Sequence, residues 1–113
     1  MHELAVTQSI LDISLRHAQK ANARQIVMIH LVIGKLSSIV DDSVQFYWDT
    51  IAQGTIAEGA ILQFERIAAE MTCLNCGFIF EPSDVTFACP NCMSHTVKIT
   101  KGDEMRLESI EID

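Results

Sequence analysis

Two short stretches hold the residues that could do chemistry. The first is the pair "CLNC" and "CPNC", which sets Cys73, Cys76, Cys89 and Cys92 as two C-x-x-C motifs. One such motif can turn two thiolates onto one ion, and two motifs complete the four-sulfur tetrahedron that zinc takes in structural sites. The intervening "GFIFEPSDVTFA" is short for a four-cysteine module but long enough for a ribbon hairpin. Gly77, after the first motif, tolerates positive φ; Met93, in the equivalent place after the second, does not share that freedom. A thioredoxin-like dithiol needs its motif at a helix N-terminus, whereas "CGFIFEP" continues as an apolar, strand-like run broken by Pro82. Iron on four thiolates uses the same ligands, so it stays open beside zinc, while structural disulfides fit a reducing compartment poorly. A zinc ion with four thiolates has no position left for water or substrate. It would fold the module rather than hydrolyse anything.

The second stretch is "MHE", residues Met1 to Glu3. If Met1 keeps a free amine, that amine, the His2 peptide nitrogen and the His2 imidazole form linked chelate rings with three nearly coplanar nitrogens. Square-planar nitrogen ligation suits Ni(II) or Cu(II) rather than tetrahedral zinc. The Glu3 amide is an additional or alternative donor. His95, just beyond Cys92, offers a fourth nitrogen. A histidine in second place is also what a frayed terminus carries by chance, and His95 could be an ordinary loop histidine. The residues alone leave both readings open.

These groups need a scaffold. From Leu4 to about Ala21 the pattern is helical, with Leu4, Leu11, Leu15 and Ala18 on one stripe and Val6, Ile10 and Ile13 beside it. His17 falls inside the apolar arc and reads as a packed core histidine. "QIVMIHLVIG", ending at Gly34, is too apolar for a one-faced strand and reads as the central strand, with His30 a hydrogen-bonded filler. In "VDDSVQFYWDTIAQGT" Asp41 or Asp42 is the expected N-cap and Gly54 the C-terminal cap. Val44, Tyr47, Trp48 and Ile51 should face the sheet, with Phe46 turned away. "ILQFERI" alternates Leu62 and Phe64 against Gln63 and Glu65 as a half-buried strand does. "DEMRLESIEID" reads as a last strand whose apolar parity changes between Leu107 and Ile110, which predicts a bulge, a twist or one exposed isoleucine edge.

The expected fold is therefore α+β: two helices packed on a small three-stranded sheet, with an inserted four-cysteine zinc-ribbon module. Residues 1–70 plus 102–113 would form the α/β domain and 71–101 the ribbon. At 113 residues there is little room for two independent large cores, so the ribbon should depend on its metal.

Composition narrows the function. The formal charge is −7 and no Lys/Arg cluster exists, so nucleic acid, whose phosphates call for one, is a poor partner. No segment has the apolar length of a membrane span, and the start lacks the basic and apolar regions of a secretory signal. A cytoplasmic protein is expected.

The opening "MHELAVTQSI", the strand end "IGKLSSI", the segment "IAEGAILQFER", the two cysteine motifs and the closing "GDEMRLESIEI" together resemble the HypA/HybF family of hydrogenase nickel-incorporation proteins. The resemblance spans essentially the whole chain. It implies a nickel metallochaperone, not an enzyme, handing Ni(II) to the maturing large subunit of [NiFe] hydrogenase together with a nickel GTPase of the HypB type. Some members also support urease maturation. By position, His2 resembles the key nickel ligand, helped by backbone nitrogens around Met1 and Glu3, and the four cysteines would hold structural zinc. His95 occupies a place compatible with a further nickel ligand, although some members have histidine where this chain has Met93. Phe46 and the parity change near Ser109 leave room for a homo-oligomer. The rival from another class is a zinc-ribbon interaction or regulatory module that binds no nickel.

Overall fold

A computed structural model of the protein describes residues 3–82 and 88–113. The first helix, α1 (Glu3–Lys20), buries Thr7, Ile10, Leu11, Ser14 and Ala18, a stripe at helical spacing. Two of these are polar. They are tolerated because each hydroxyl donates to a carbonyl four residues back, Thr7 to Glu3 and Ser14 to Ile10. With Thr7 and Ser14 in the core, the buried stripe is rotated from the one drawn on leucines. Leu4 is 47% exposed, and His17, expected in the core, is exposed on the flank of the stripe.

Three strands, β1 (Ile26–Gly34), β2 (Ile61–Ile67) and a late strand, β6 (Met105–Ile112), form a sheet in the order β2-β1-β6. β1 and β6 run in opposite directions: the Asp113 N–H donates to the Gln25 carbonyl near one end, and the Gly34 N–H donates to the Glu104 carbonyl at the other. The half-buried positions of β6 run Met105, Leu107, Ile110, so the parity change is present in the strand, and Ile112 is 40% exposed, the exposed isoleucine edge among the expected outcomes. β1 is the central strand and is buried at Ile26, Ile29, Leu31, Val32, Ile33 and Gly34, as its apolar run requires. His30 is half-buried, with Nε2 3.4 Å from a carboxylate oxygen of Glu65 on β2.

Between β1 and β2 lies α2 (Asp41–Ile51), whose buried face is Val44 and Trp48 and which leaves Phe46 68% exposed. The expected aspartate cap is not formed. Val40 is the N-cap, in extended conformation with no side-chain cap bond, and Asp41 and Asp42 lie inside the first turn. There their charge meets the positive end of the helix dipole, which is favourable without a direct cap bond. At the other end Ala52 is the cap, and Gly54 takes φ +78° two residues beyond it.

The cysteines belong to a second sheet, β4-β3-β5, built from β3 (Glu70–Cys73), β4 (Ile79–Phe80) and β5 (Val97–Lys101). β3 pairs antiparallel with both neighbours, Met71 opposite Phe80 and Cys73 opposite Val97. The chain divides into two compact units. One holds α1, β1 through Val32, residues 38–65 and 105–113; the other holds 33–37 and 66–104. The cysteine unit is thus larger than the segment 71–101 marked out by sequence, because Lys35 donates to Ile67, and Gly34 and Leu36 pair with Glu104 and Gly102. Among the described residues no helix is long and apolar enough to cross a membrane.

Candidate metal centre

The two cysteine motifs fold as near copies. In the first, Gly77 N–H donates to the Cys73 carbonyl at 2.9 Å; in the second, Met93 N–H donates to the Cys89 carbonyl at 2.8 Å. Both turns place the residue after the last cysteine in the left-handed region, Gly77 at φ +78° and Met93 at φ +64°. Closing the loop on an ion demands that conformation whichever residue supplies it. Met93 adopts it although its Cβ disfavours it.

The four thiol sulfurs lie within 4.8 Å of one another, with Cys73 to Cys92 and Cys76 to Cys89 each at 3.6 Å. A zinc ion about 2.3 Å from four sulfurs at tetrahedral corners requires sulfur separations of about 3.8 Å. Two of the separations stand near that value and none exceeds 4.8 Å, so the donor set can close on such an ion. These spacings are far from the ~2.05 Å of a disulfide, and all four cysteines are free thiols. Cys73 and Cys89 are buried while Cys76 and Cys92 are exposed, so the site has an inner and an outer pair.

Nitrogen donors surround the sulfurs. The backbone N–H groups of Asn75 and Cys76 both reach the Cys73 sulfur at 3.4 Å, and that of Asn91 reaches Cys89 at 3.4 Å. The Asn75 side-chain amide lies 3.8 Å from the Cys92 sulfur, and that of Asn91 lies 3.6 Å from the Cys76 sulfur. Donors favour the thiolate, and the thiols divide accordingly. The Cys73 thiol is lowered, chiefly by the Cys76 backbone N–H. Cys76 is lowered to about 6, first by the Asn91 amide and next by the Phe78 backbone N–H. At Cys92 the Ser94 backbone N–H also favours the thiolate, but desolvation and hydrogen sharing with Cys73 and Cys76 outweigh it, pushing the group up to about 11. A divalent cation at the centre would favour deprotonation of all four thiols. Cysteine spacing gives Asn75 and Asn91 no role; the sequence signal that could have found them is the shared C-x-N-C.

The remaining sequence candidates stand apart from this cluster. Met1 and His2 lie outside the described residues. Glu3 opens α1, half-buried, and its carbonyl accepts the Thr7 hydroxyl. His95 is an exposed residue of the cysteine unit, between Cys92 and β5, and its carbonyl accepts the Val97 N–H. Among the described residues, the four cysteines are the only group of three or more metal-ligating side chains drawn together.

Comparison with known proteins agrees with this geometry. Residues 1–112 match the family model described as "Hydrogenase/urease nickel incorporation, metallochaperone, hypA". The chain is 42% identical to the hydrogenase maturation factor HypA of Caldanaerobacter subterraneus, with 100% of both chains covered. It is 33% identical to the HypA of Rhizobium leguminosarum over 99% of each. The solution structure of the nickel metallochaperone HypA from Helicobacter pylori superimposes with a TM-score of 0.69 at 31% identity, over 99% of this chain and 97% of that one. With the motif, the four-sulfur cluster and the full-length match in agreement, the chain belongs to the HypA family of nickel-incorporation metallochaperones, a family of maturation factors rather than enzymes.

Proposed function

We propose that the protein binds Ni(II) through His2 and the backbone nitrogens around Met1 and Glu3, and passes it to the large subunit of [NiFe] hydrogenase during maturation. Zinc in the Cys73, Cys76, Cys89 and Cys92 site is structural. The observation that carries this division of labour is the closed four-thiolate cluster, which uses every ligand position of a tetrahedral ion and so suits retention rather than exchange. The cargo therefore needs ligands elsewhere. The Met-His-Glu segment, running directly into α1 of the other unit, supplies nitrogen donors of the kind Ni(II) prefers.

In this reading the unit holding α1 and α2 is the nickel domain and the unit holding the cysteines is the zinc domain. A chelate with few side-chain ligands releases its ion when the amine or imidazole is protonated, or when an acceptor offers competing ligands. His95 is a candidate further nickel ligand. A HypB-type nickel GTPase supplies the energy-using step, urease maturation proteins are a second possible destination, and the exchange takes place in the cytoplasm. The test is nickel titration of untagged, zinc-loaded protein against His2→Ala and His95→Ala variants. His2→Ala should lose nickel while keeping one zinc and the wild-type circular dichroism; equal nickel affinity in that variant would refute the assignment. An N-terminal extension should weaken binding if the free amine is a ligand.

A further inference from the structure

We infer that Asn75 and Asn91 are positioning residues of the four-thiolate centre, each steadying the exposed thiolate of the opposite cysteine pair with its side-chain amide and slowing loss of the ion. This rests on the reading that the four thiolates hold a metal. The arrangement is reciprocal. Asn75, in the first motif, reaches Cys92 of the second at 3.8 Å, and Asn91, in the second, reaches Cys76 of the first at 3.6 Å. Both distances suit an N–H donor on sulfur, whose radius exceeds that of oxygen. A metal-bound thiolate can only accept, so the amide nitrogen is the atom that must face it.

Every sulfur has a backbone N–H beside it, Phe78 and Ser94 serving Cys76 and Cys92, but only the exposed pair also receives side-chain amides. The buried sulfurs of Cys73 and Cys89 are served by backbone N–H groups of their own turns, at 3.4 Å. Cys76 and Cys92 are the exposed pair, where a proton or a competing chelator arrives first. Those two sulfurs receive the asparagine amides. An N–H on a thiolate withdraws charge from sulfur, which makes the ligand a poorer base. Because each amide crosses from one motif to the other, it also ties together the two loops that would have to separate for the ion to leave. Outer-shell partners of this kind typically change metal affinity by about 10- to 100-fold when removed.

The experiment compares wild type with Asn75→Ala, Asn91→Ala, the double variant and Asn91→Asp, the last keeping the shape and turn preference of asparagine while removing the N–H. Both asparagines are exposed, so the fold should survive. Zinc transfer to a colorimetric chelator is followed across pH, and the cobalt-substituted proteins are examined by absorption. All variants should bind one ion with the tetrahedral thiolate spectrum. Release should quicken about tenfold in each single variant and more in the double, in line with outer-shell losses elsewhere. The pH at which acid strips the metal should rise, and the sulfur-to-cobalt band should move to lower energy. Unchanged rates, acid profile and band in the alanine variants would overturn the inference, as would wild-type behaviour in Asn91→Asp, which would reduce the asparagine to a turn former. A wild-type protein that gives no tetrahedral thiolate spectrum would overturn the metal centre itself, a failure visible before any variant is made.

Discussion

Gly34→Ala is the sharpest mechanical test of the structure. A Cβ at residue 34 would stand 1.9 Å from the Gly102 carbonyl oxygen, 2.0 Å from its carbon and 2.7 Å from the Asp103 nitrogen. All three are backbone atoms, so no side chain can turn aside. Non-bonded carbons settle at about 3.5–4.0 Å, and the segments 33–37 and 102–104 must therefore part by more than an ångström. That movement breaks two hydrogen bonds, Gly34 N–H to Glu104 at 2.8 Å and Leu36 N–H to Gly102 at 2.6 Å. At about 1 kcal/mol net for each bond, with overpacking strain of about 1–3 kcal/mol, the expected loss is roughly 3–5 kcal/mol. A loss of that size is a large part of the ~5–15 kcal/mol that holds a typical domain folded. Urea unfolding of zinc-loaded protein, followed by far-UV circular dichroism at fixed protein and metal concentration, measures it. Gly54→Ala is the control: it has φ +78° and no atom within 4 Å of the new Cβ, so it should cost only the ~1–2 kcal/mol of the conformation. A Gly34→Ala variant within 1 kcal/mol of wild type at equal denaturant slope, or no worse than Gly54→Ala, would refute the close approach.

Two further outcomes follow from single residues. Met93→Gly should stabilise the metal-loaded protein by up to about 1 kcal/mol: the side chain is 71% exposed and loses little packing, and glycine relieves the left-handed φ of +64°, part of the gain being returned as chain entropy. A fall in the melting temperature of the zinc-loaded form would contradict this. Glu108 should titrate below the ordinary glutamate value, because the Arg106 guanidinium donates to its carboxylate at 2.7 Å and adds its charge. The stability it contributes is present above the unfolded-state glutamate pKa and is lost as pH falls through the depressed folded value. Carboxyl NMR titration of wild type and Arg106→Ala checks the sign, since the variant should move the Glu108 midpoint upward.

The elements that sequence describes well are those governed by local pattern. β1 is buried over most of its length because an apolar run has no polar face to show, and Leu62 is buried while Gln63 and Glu65 are exposed because side chains alternate across a strand. The gathering of four sulfurs was legible for a similar reason. Each C-x-x-C turn determines its own geometry, and a single ion accepts two of them.

The departures arise where a residue's surroundings depend on distant chain. His17 lies in an apolar arc by sequence yet is exposed, because the buried stripe is centred on Thr7 and Ser14, whose hydroxyls are satisfied within the helix and can be packed inward. The aspartates before α2 occupy its first turn while Val40 takes the cap, a matter of where the chain bends after Ile39 rather than of which residue caps best.

Residue type and short spacing account for the helix and strand periods, the four-thiolate donor set, the nitrogen-rich start and the family resemblance. The folded chain adds that Gly34 must be glycine because Gly102 presses on it, that Met93 accepts a glycine's conformation, and that Asn75 and Asn91 reach across to Cys92 and Cys76 of the opposite motif. The first and the last are distances between atoms far apart along the chain, which come into being only when the backbone has closed on itself.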